Sequence, residues 1–199
     1  MLKVFTCEQG SEEWYKIKCG IPSASEFDKI ITTKGEVSKQ REAYLYRLVA
    51  ERITKCPTET YQNEAMLVGK KLEDEGRKYY ELVKKVKVSQ VGFCLQEKPG
   101  YGCSPDGIVG KPGLLEIKCP LPGTHVKYLL GGVVPIEYYT QTQGQLLVTG
   151  KAWVDFFSYS PGLRPLIIRV KPDKSFQAKL RKELEKFCSD LDKLVRRVK

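Results

Sequence analysis

Asp106, Glu116 and Lys118 are the most informative grouping of chemistry-bearing side chains in the 199-residue sequence: an aspartate, nine intervening residues, then Glu-x-Lys. The run from 114 to 119 has the apolar content and length of a strand. Residues two apart on a strand leave the same face, so Glu116 and Lys118 are expected to point the same way. Between them and Asp106 stands Gly110-Lys111-Pro112-Gly113, a turn sequence. It predicts a hairpin that folds Ile108-Val109 back on Leu114-Leu115 and carries Asp106 toward Glu116. Two carboxylates meeting at a strand end supply the hard oxygen ligands that Mg²⁺ prefers, with water and a phosphate oxygen completing its octahedron. A lysine beside them can orient an attacking water or, where a neighbouring cation disfavours the ammonium, deprotonate it; the pattern leaves both roles open. The chemistry it points to is metal-assisted attack of water on a phosphodiester.

Several elements must position those three residues. A short helix over 11–19 is stopped by Gly20, and Ser23-x-x-Glu26 reads as a capping box starting a second helix. A third, over 39–54, stacks Ala43, Leu45, Leu48, Val49 and Ile53 before the break at Pro57. The fourth, over 64–82, sets Met66, Gly69, Glu73, Gly76 and Tyr80 at steps of three and four, so an acid shares a face with apolar and small residues. Such an acid needs a cation or donors, and a metal shared with Asp106 would serve. Strands are expected over 85–95, 102–109, 114–119, 151–160 and 166–170. Helices are expected over 124–130 and 136–148, the latter with Pro135 at its first helical position and Gln141 and Gln143 near its middle. A last helix carries Phe176, Leu180, Leu184, Phe187, Leu191, Leu194 and Val198 as one apolar stripe. Strands and helices mix, which predicts one α/β domain over 1–199 with a mixed central sheet flanked by helices.

Charge and cysteine usage narrow the setting. The net charge is +10, favouring a polyanionic partner, and residues 171–199 hold ten Lys/Arg against five Asp/Glu, half of that excess. The seven cysteines contain no Cys-x-x-Cys and indicate neither a disulfide framework nor a zinc site. With no apolar run of about 20 residues and no apolar leader core, a reducing, cytoplasmic location without a membrane is expected. His125, the one histidine, excludes chemistries built on several and reads as a surface or helix-start residue.

The Asp-x9-Glu-x-Lys pattern resembles the PD-(D/E)xK nuclease superfamily. Cys103-Ser104-Pro105-Asp106-Gly107 with Leu115-Glu116-Ile117-Lys118-Cys119-Pro120 is similar to its lambda exonuclease, or YqaJ-like viral recombinase, branch. Gln9-Gly10-Ser11-Glu12-Glu13-Trp14, Lys18-Cys19-Gly20-Ile21, Ser23-Ala24-Ser25-Glu26, Gly69-Lys70-Lys71-Leu72-Glu73 and Gln141-Thr142-Gln143 extend the likeness in the order this branch uses.

The resemblance implies a restriction-endonuclease-like core in which Glu73, Asp106, Glu116 and Lys118 are catalytic. Glu73, Asp106, Glu116 and the Ile117 carbonyl would hold two Mg²⁺, or Mn²⁺ in their place. A pocket for a 5′-terminal phosphate maps to Lys18, Ser25, Ser104 and Gln141, with Gln143 also facing DNA. Lys18 departs from the arginine of the branch's reference member, keeping the charge and losing the bidentate fork, which predicts a weaker 5′-phosphate preference. The implied activity is 5′→3′ exonucleolytic digestion of one strand of linear duplex DNA to 5′-mononucleotides. It leaves 3′ tails for recombination and is carried out by a ring-shaped homotrimer alongside a single-strand annealing protein. A structure- or site-directed endonuclease of the same superfamily, or a non-catalytic DNA-binding module, are the alternatives.

Overall fold

The computed structural model describes residues 1–58 and 64–199, the side chains of 64–67 and 70 excepted, so Met66 lies outside the described side chains. Two sheets divide the strands. β1 (Leu2–Phe5), β3 (Phe93–Gln96) and β4 (Tyr101–Cys103) form an antiparallel three-stranded sheet in the order β1-β3-β4. The central sheet runs β2-β5-β6-β7-β8, from Val88–Ser89, Gly107–Val109, Gly113–Lys118, Trp153–Ser158 and Leu166–Val170. Among its pairings only β6 with β7 is parallel, so the sheet is mixed as expected. Helices α1 (Glu12–Lys18), α2 (Arg41–Thr54), α3 (Glu64–Lys84), α4 (Pro122–Gly131), α5 (Tyr139–Thr149) and α6 (Lys174–Val198) complete the fold.

The hairpin forms where the turn sequence places it: Val109 pairs with Gly113, and Gly110 takes the positive φ of 58° that the turn needs. Gly107 pairs with Leu115, so one step further along the ladder Asp106 stands across from Glu116.

The two long strands anticipated before it are each broken. The segment 85–95 gives β2 to the central sheet and β3 to the other, and 102–109 gives β4 and β5 likewise. Pro105, without an N–H to donate to a ladder, sits in the second break. The capping box also fails. Ser23 makes no side-chain cap, the segment Ala24–Lys29 is a 3₁₀ helix, and Glu26 turns instead to Lys29 and Arg47. Proline opens α4 through Pro122 rather than α5: Pro135 precedes a short 3₁₀ turn, Ile136–Tyr138, and α5 begins at Tyr139. Ala43 is exposed. His125, expected at the surface, is fully buried, its ring nitrogens bonded to Ser158 Oγ at 2.7 Å and the Arg164 carbonyl at 2.9 Å.

The core follows the amphipathic patterns. α6 buries Phe176, Leu180, Leu184, Phe187 and Leu191 against α2, α5 and the 3₁₀ segment, each fully buried side chain contributing about 1.5–3 kcal/mol. The stripe ends before Val198, which is exposed. A second cluster packs Tyr80 of α3 against Leu115, Ile117 and Phe157 of the central sheet. Gly144 has a close-approach role: a Cβ there would stand 2.6 Å from the Phe27 ring, and its absence lets α5 lie directly on the 3₁₀ segment.

Asp173 caps α6, accepting from Phe176 N–H at 2.9 Å and from Tyr139 O–H at 2.8 Å, and these donors hold its carboxyl below the usual range. A depressed folded-state value gives stability present above the unfolded pKa of about 3.9 and lost as pH falls through the lower folded one. Asp173→Ala is therefore expected to cost about 0.5–1 kcal/mol at pH 7, the lower part of the cap range because the group is exposed. Urea titrations at pH 7 and pH 3 should show the gap between wild type and variant closing on acidification.

Candidate active site

Asp106 lies at the junction between the two sheets, immediately before β5, and Glu116 and Lys118 lie on β6. The Asp106 carboxylate accepts from the Ile117 N–H at 2.6 Å, which ties the junction to β6. Glu116 is 2 % exposed and held from several sides. Its Oε1 accepts from Gln141 Nε2 and pairs with Lys118 Nζ, both at 2.6 Å, and its Oε2 accepts from Gln145 Nε2. The Lys118 ammonium also sits over the Tyr138 ring, 5.0 Å from its centroid.

Loss of solvation, then the Glu116 charge, pushes the Asp106 carboxyl well up; the Glu73 charge adds to this, against Lys118 and the Ile117 N–H. For Lys118 the loss of solvation acts downward, but the charges of Glu116 and Asp106 outweigh it and hold the ammonium above the ordinary lysine range. The two acids thus favour the charged form of Lys118 beside them.

Glu73 is on α3 between Gly69, which lies against the Cys119 carbonyl, and Gly76, which lies against Ile117 and Tyr159. The expectation of an acid on the packed face holds: it is half-buried, and its charge acts on both Asp106 and Cys119. Among the described residues no three His, Cys, Asp or Glu side chains are grouped at metal-holding distances. The donor chemistry nonetheless suits a hard divalent cation: two carboxylates side by side, a third felt through its field, and one lysine to balance them.

A pocket of about 170 Å³ opens onto this pair. Asp106, Glu116, Lys118, Gln141 and Gln145 line it, as do Lys18, Ser23, Ala24, Ser25 and Ser104 together with Gln9 and Trp14. Four of the five residues expected to meet phosphate or DNA, Lys18, Ser25, Ser104 and Gln141, therefore line one space with Asp106, Glu116 and Lys118. Local contacts explain how. The 22–25 segment zips onto β4 through Gly102 N–H to the Pro22 carbonyl at 2.9 Å, and the Ser23 and Ser25 hydroxyls stand 3.5 Å apart. Trp14 Nε1 bonds both the Gly92 carbonyl, at 3.0 Å, and Ser104 Oγ, at 2.9 Å, while its ring carries Lys18 Nζ 4.6 Å above the centroid. Gln9 Nε2 straps the Val91 and Pro105 carbonyls at 2.8 and 2.9 Å, pinning the bend that holds Ser104 and Asp106. Loss of solvation lowers the Lys18 pKa, with Arg47 acting the same way and Glu26 and Glu51 opposing.

Gln143 does not join the pocket. It is 2 % exposed and points the other way, donating to the Lys171 carbonyl at 3.0 Å and accepting from Asp173 N–H at 2.8 Å. α5 is a helix, so residues two apart diverge, and the partner of Gln141 on its pocket face is Gln145, four residues on. That periodicity could have found Gln145. Gln9 and Trp14 stood inside a motif read only as likeness, and no spacing marks their distant partners.

A mixed sheet whose hairpin delivers Asp, Glu and Lys to one pocket beside helices defines a nuclease of the restriction-endonuclease-like fold. More narrowly, the chain belongs to the YqaJ-like viral recombinase domain family, which matches residues 13–152. The alkaline exonuclease LHK-Exo from Laribacter hongkongensis is similar to it at 31% identity and a TM-score of 0.85, covering 94% of this chain and 96% of that one. LHK-Exo in complex with dAMP aligns over the same shares at 32% identity and a TM-score of 0.85. A phage related exonuclease from Haemophilus somnus 129PT shares the fold at a TM-score of 0.72 with 11% identity, over 90% of this chain and 96% of that one. The search of curated proteins found no match. Family and likeness together support a nuclease, and within nucleases an exonuclease. No helix among the described residues is long and apolar enough to cross a membrane.

Gln143→Ala leaves the Lys171 carbonyl and the Asp173 N–H without their side-chain partner and is expected to lower unfolding free energy by about 1–3 kcal/mol in urea titration. Unchanged stability would refute the structural role.

Proposed function

We propose that this chain is a Mg²⁺-dependent exonuclease that enters linear duplex DNA at a 5′-phosphorylated end and digests that strand 5′→3′ to mononucleotides. The observation that supports it most is the shared pocket: Lys18, Ser25 and Ser104, which could receive an anion, line the same space of about 170 Å³ as Asp106, Glu116 and Lys118. A site for a terminal phosphate that close to the hydrolytic groups makes cleavage count from the end. The dAMP bound to the LHK-Exo relative agrees with a mononucleotide product in this family.

Asp106 and Glu116, with Glu73 and the Ile117 carbonyl, are the groups that would hold Mg²⁺ or Mn²⁺, as one or two ions. Such an ion would lower the pKa of a bound water and balance charge building on the phosphate and the leaving 3′ oxygen. The protein's own part is positional. Gln141 and Lys118 hold the Glu116 carboxylate, and Lys118, as an ammonium, orients the attacking water and screens the phosphate's charge. Lys18 over Trp14 offers the end phosphate a point charge, and the Ser25 and Ser104 hydroxyls offer it donors. A homotrimer around the duplex, acting with a single-strand annealing protein in the cytoplasm, belongs to the same proposal.

The test is digestion of duplexes labelled at either end, with and without a 5′ phosphate, alongside closed circles. We expect loss of label from the 5′-phosphorylated end, intact circles, and arrest by EDTA that Mg²⁺ reverses. Asp106→Ala, Glu116→Ala and Lys118→Ala should each slow digestion about a hundredfold or more. Cut circles would convert the reading to an endonuclease, and full activity in any of the three variants would remove that residue from the mechanism.

The Lys18 position has its own prediction. Lys18→Ala should narrow the rate ratio between phosphorylated and hydroxyl ends toward one, and Lys18→Arg, which restores a bidentate fork, should widen it. An unchanged ratio in both would place the end phosphate elsewhere.

A further inference from the structure

The two ends of the Gln145 amide are treated unequally. The residue lies on α5, one turn beyond Gln141, and is 1 % exposed. Its Nε2 donates to Glu116 Oε2, whereas its Oε1, equally shut from solvent, has no hydrogen-bond partner among the described residues. Exchanging the amide's oxygen and nitrogen would set an acceptor against a carboxylate, so Glu116 dictates the orientation and the orphaned oxygen follows from it. An unpaired buried acceptor costs about 1–3 kcal/mol, which an apolar side chain of the same shape would avoid. Its neighbours on the helix, Leu146, Leu147 and Val148, are buried and apolar, so packing at this depth does not call for an amide.

Glu116 explains the amide. Gln141 and Gln145, four residues apart on one helical face, reach opposite oxygens of that carboxylate, and Lys118 takes a further place on the Gln141 side. Three donors on two oxygens fix the plane of the carboxylate as well as its location, and α5 is itself seated by the Gly144 contact with Phe27.

We infer that Gln145 is a positioning residue of the reaction centre, setting the plane of the Glu116 carboxylate toward the pocket while its own oxygen goes unpaired. The inference rests on the nuclease function proposed above. It carries a signature that a packing role lacks: removing the amide slows turnover by far more than it reduces the fraction of folded protein.

The experiment compares wild type with Gln145→Met, which keeps length and volume and removes both the donor and the orphaned acceptor. Thermal unfolding is measured together with initial rates over a range of 5′-phosphorylated duplex ends in saturating Mg²⁺. The expected result is kcat lowered about 10- to 100-fold in folded protein, as for other groups that orient a ligand, with at most a modest fall in melting temperature, because relief of the orphaned oxygen offsets the donor lost from Glu116 Oε2. KM should stay within about threefold, since the interaction acts on the reaction rather than on DNA binding. Unchanged kcat, or a loss no larger than the loss of folded protein, overturns the inference. Should the methionine variant not fold, Gln145→Asn, which keeps an amide but withdraws it by one methylene, must show the same kcat loss in folded protein; retained kcat there overturns it too. The two levels of the argument fail separately. A wild type that digests normally beside an equally fast Gln145→Met variant removes only the role of Gln145, whereas a wild type without Mg²⁺-dependent digestion removes the function itself.

Discussion

Two carboxylates held together where water reaches them poorly are the constraint around which this structure is arranged. Like charges about 4 Å apart repel by about 4 kcal/mol even at an effective dielectric of 20, and each also forfeits hydration. The upward push on Asp106 from lost solvation and from Glu116 is the local expression of that cost. What surrounds the pair answers it: the Ile117 N–H on Asp106, and Gln141, Gln145 and Lys118 on Glu116. These donors stabilise the acids without removing their field, so the pocket keeps an attraction for a cation.

The position of the acids depends in turn on the chain changing sheets. β4 ends at Cys103 and β5 begins at Gly107, and the three residues between belong to neither ladder. Ser104 and Asp106, which serve different parts of the proposed reaction, both lie in that interval. A bend outside a ladder needs other support, and the N-terminal segment provides it through Gln9 on the Pro105 carbonyl and Trp14 on Ser104. The elements brought together are far apart in sequence, so the pocket forms only when both sheets and α5 have docked.

Much of this was legible in the residues. The hairpin, the convergence of Asp106 on Glu116 and the apolar stripe of α6 follow from turn chemistry and from periods of two and three to four, which are local. What the pattern could not give is where a strand stops. The apolar residues flanking Gln90 and flanking Ser104-Pro105-Asp106 let 85–95 and 102–109 each read as one strand, although their halves join different sheets. The capping box at Ser23 failed for a tertiary reason, since Arg47 and Lys29 draw the Glu26 carboxylate away from the helix start. His125 looked peripheral because one polar residue in a helix carries no sign of the Ser158 and Arg164 partners that accept it into the core. Gln143 was misplaced for another cause: an alternating motif was mapped onto a helix, where alternate residues face apart.

The lysine at position 18 shows how a departure from family pattern is absorbed. An arginine recognises phosphate by geometry, two parallel N–H groups matched to two oxygens, and needs little from its surroundings. A lysine is a point charge on a flexible stem, so the surroundings must fix where that charge stands. Here the Trp14 ring lies beneath the ammonium, and the same indole holds Ser104 through its N–H, so one rigid side chain sets the spacing between a cation and a hydroxyl donor. In the proposed phosphate site this support would offset only part of the fork that a guanidinium would carry. Its cation loses solvation in the pocket, which lowers the Lys18 pKa, and a desolvated ammonium gains more from meeting an anion than a hydrated one does. Under the proposed function, recognition of the end phosphate would rest less on the shape of one side chain and more on the rigidity of the platform beneath it.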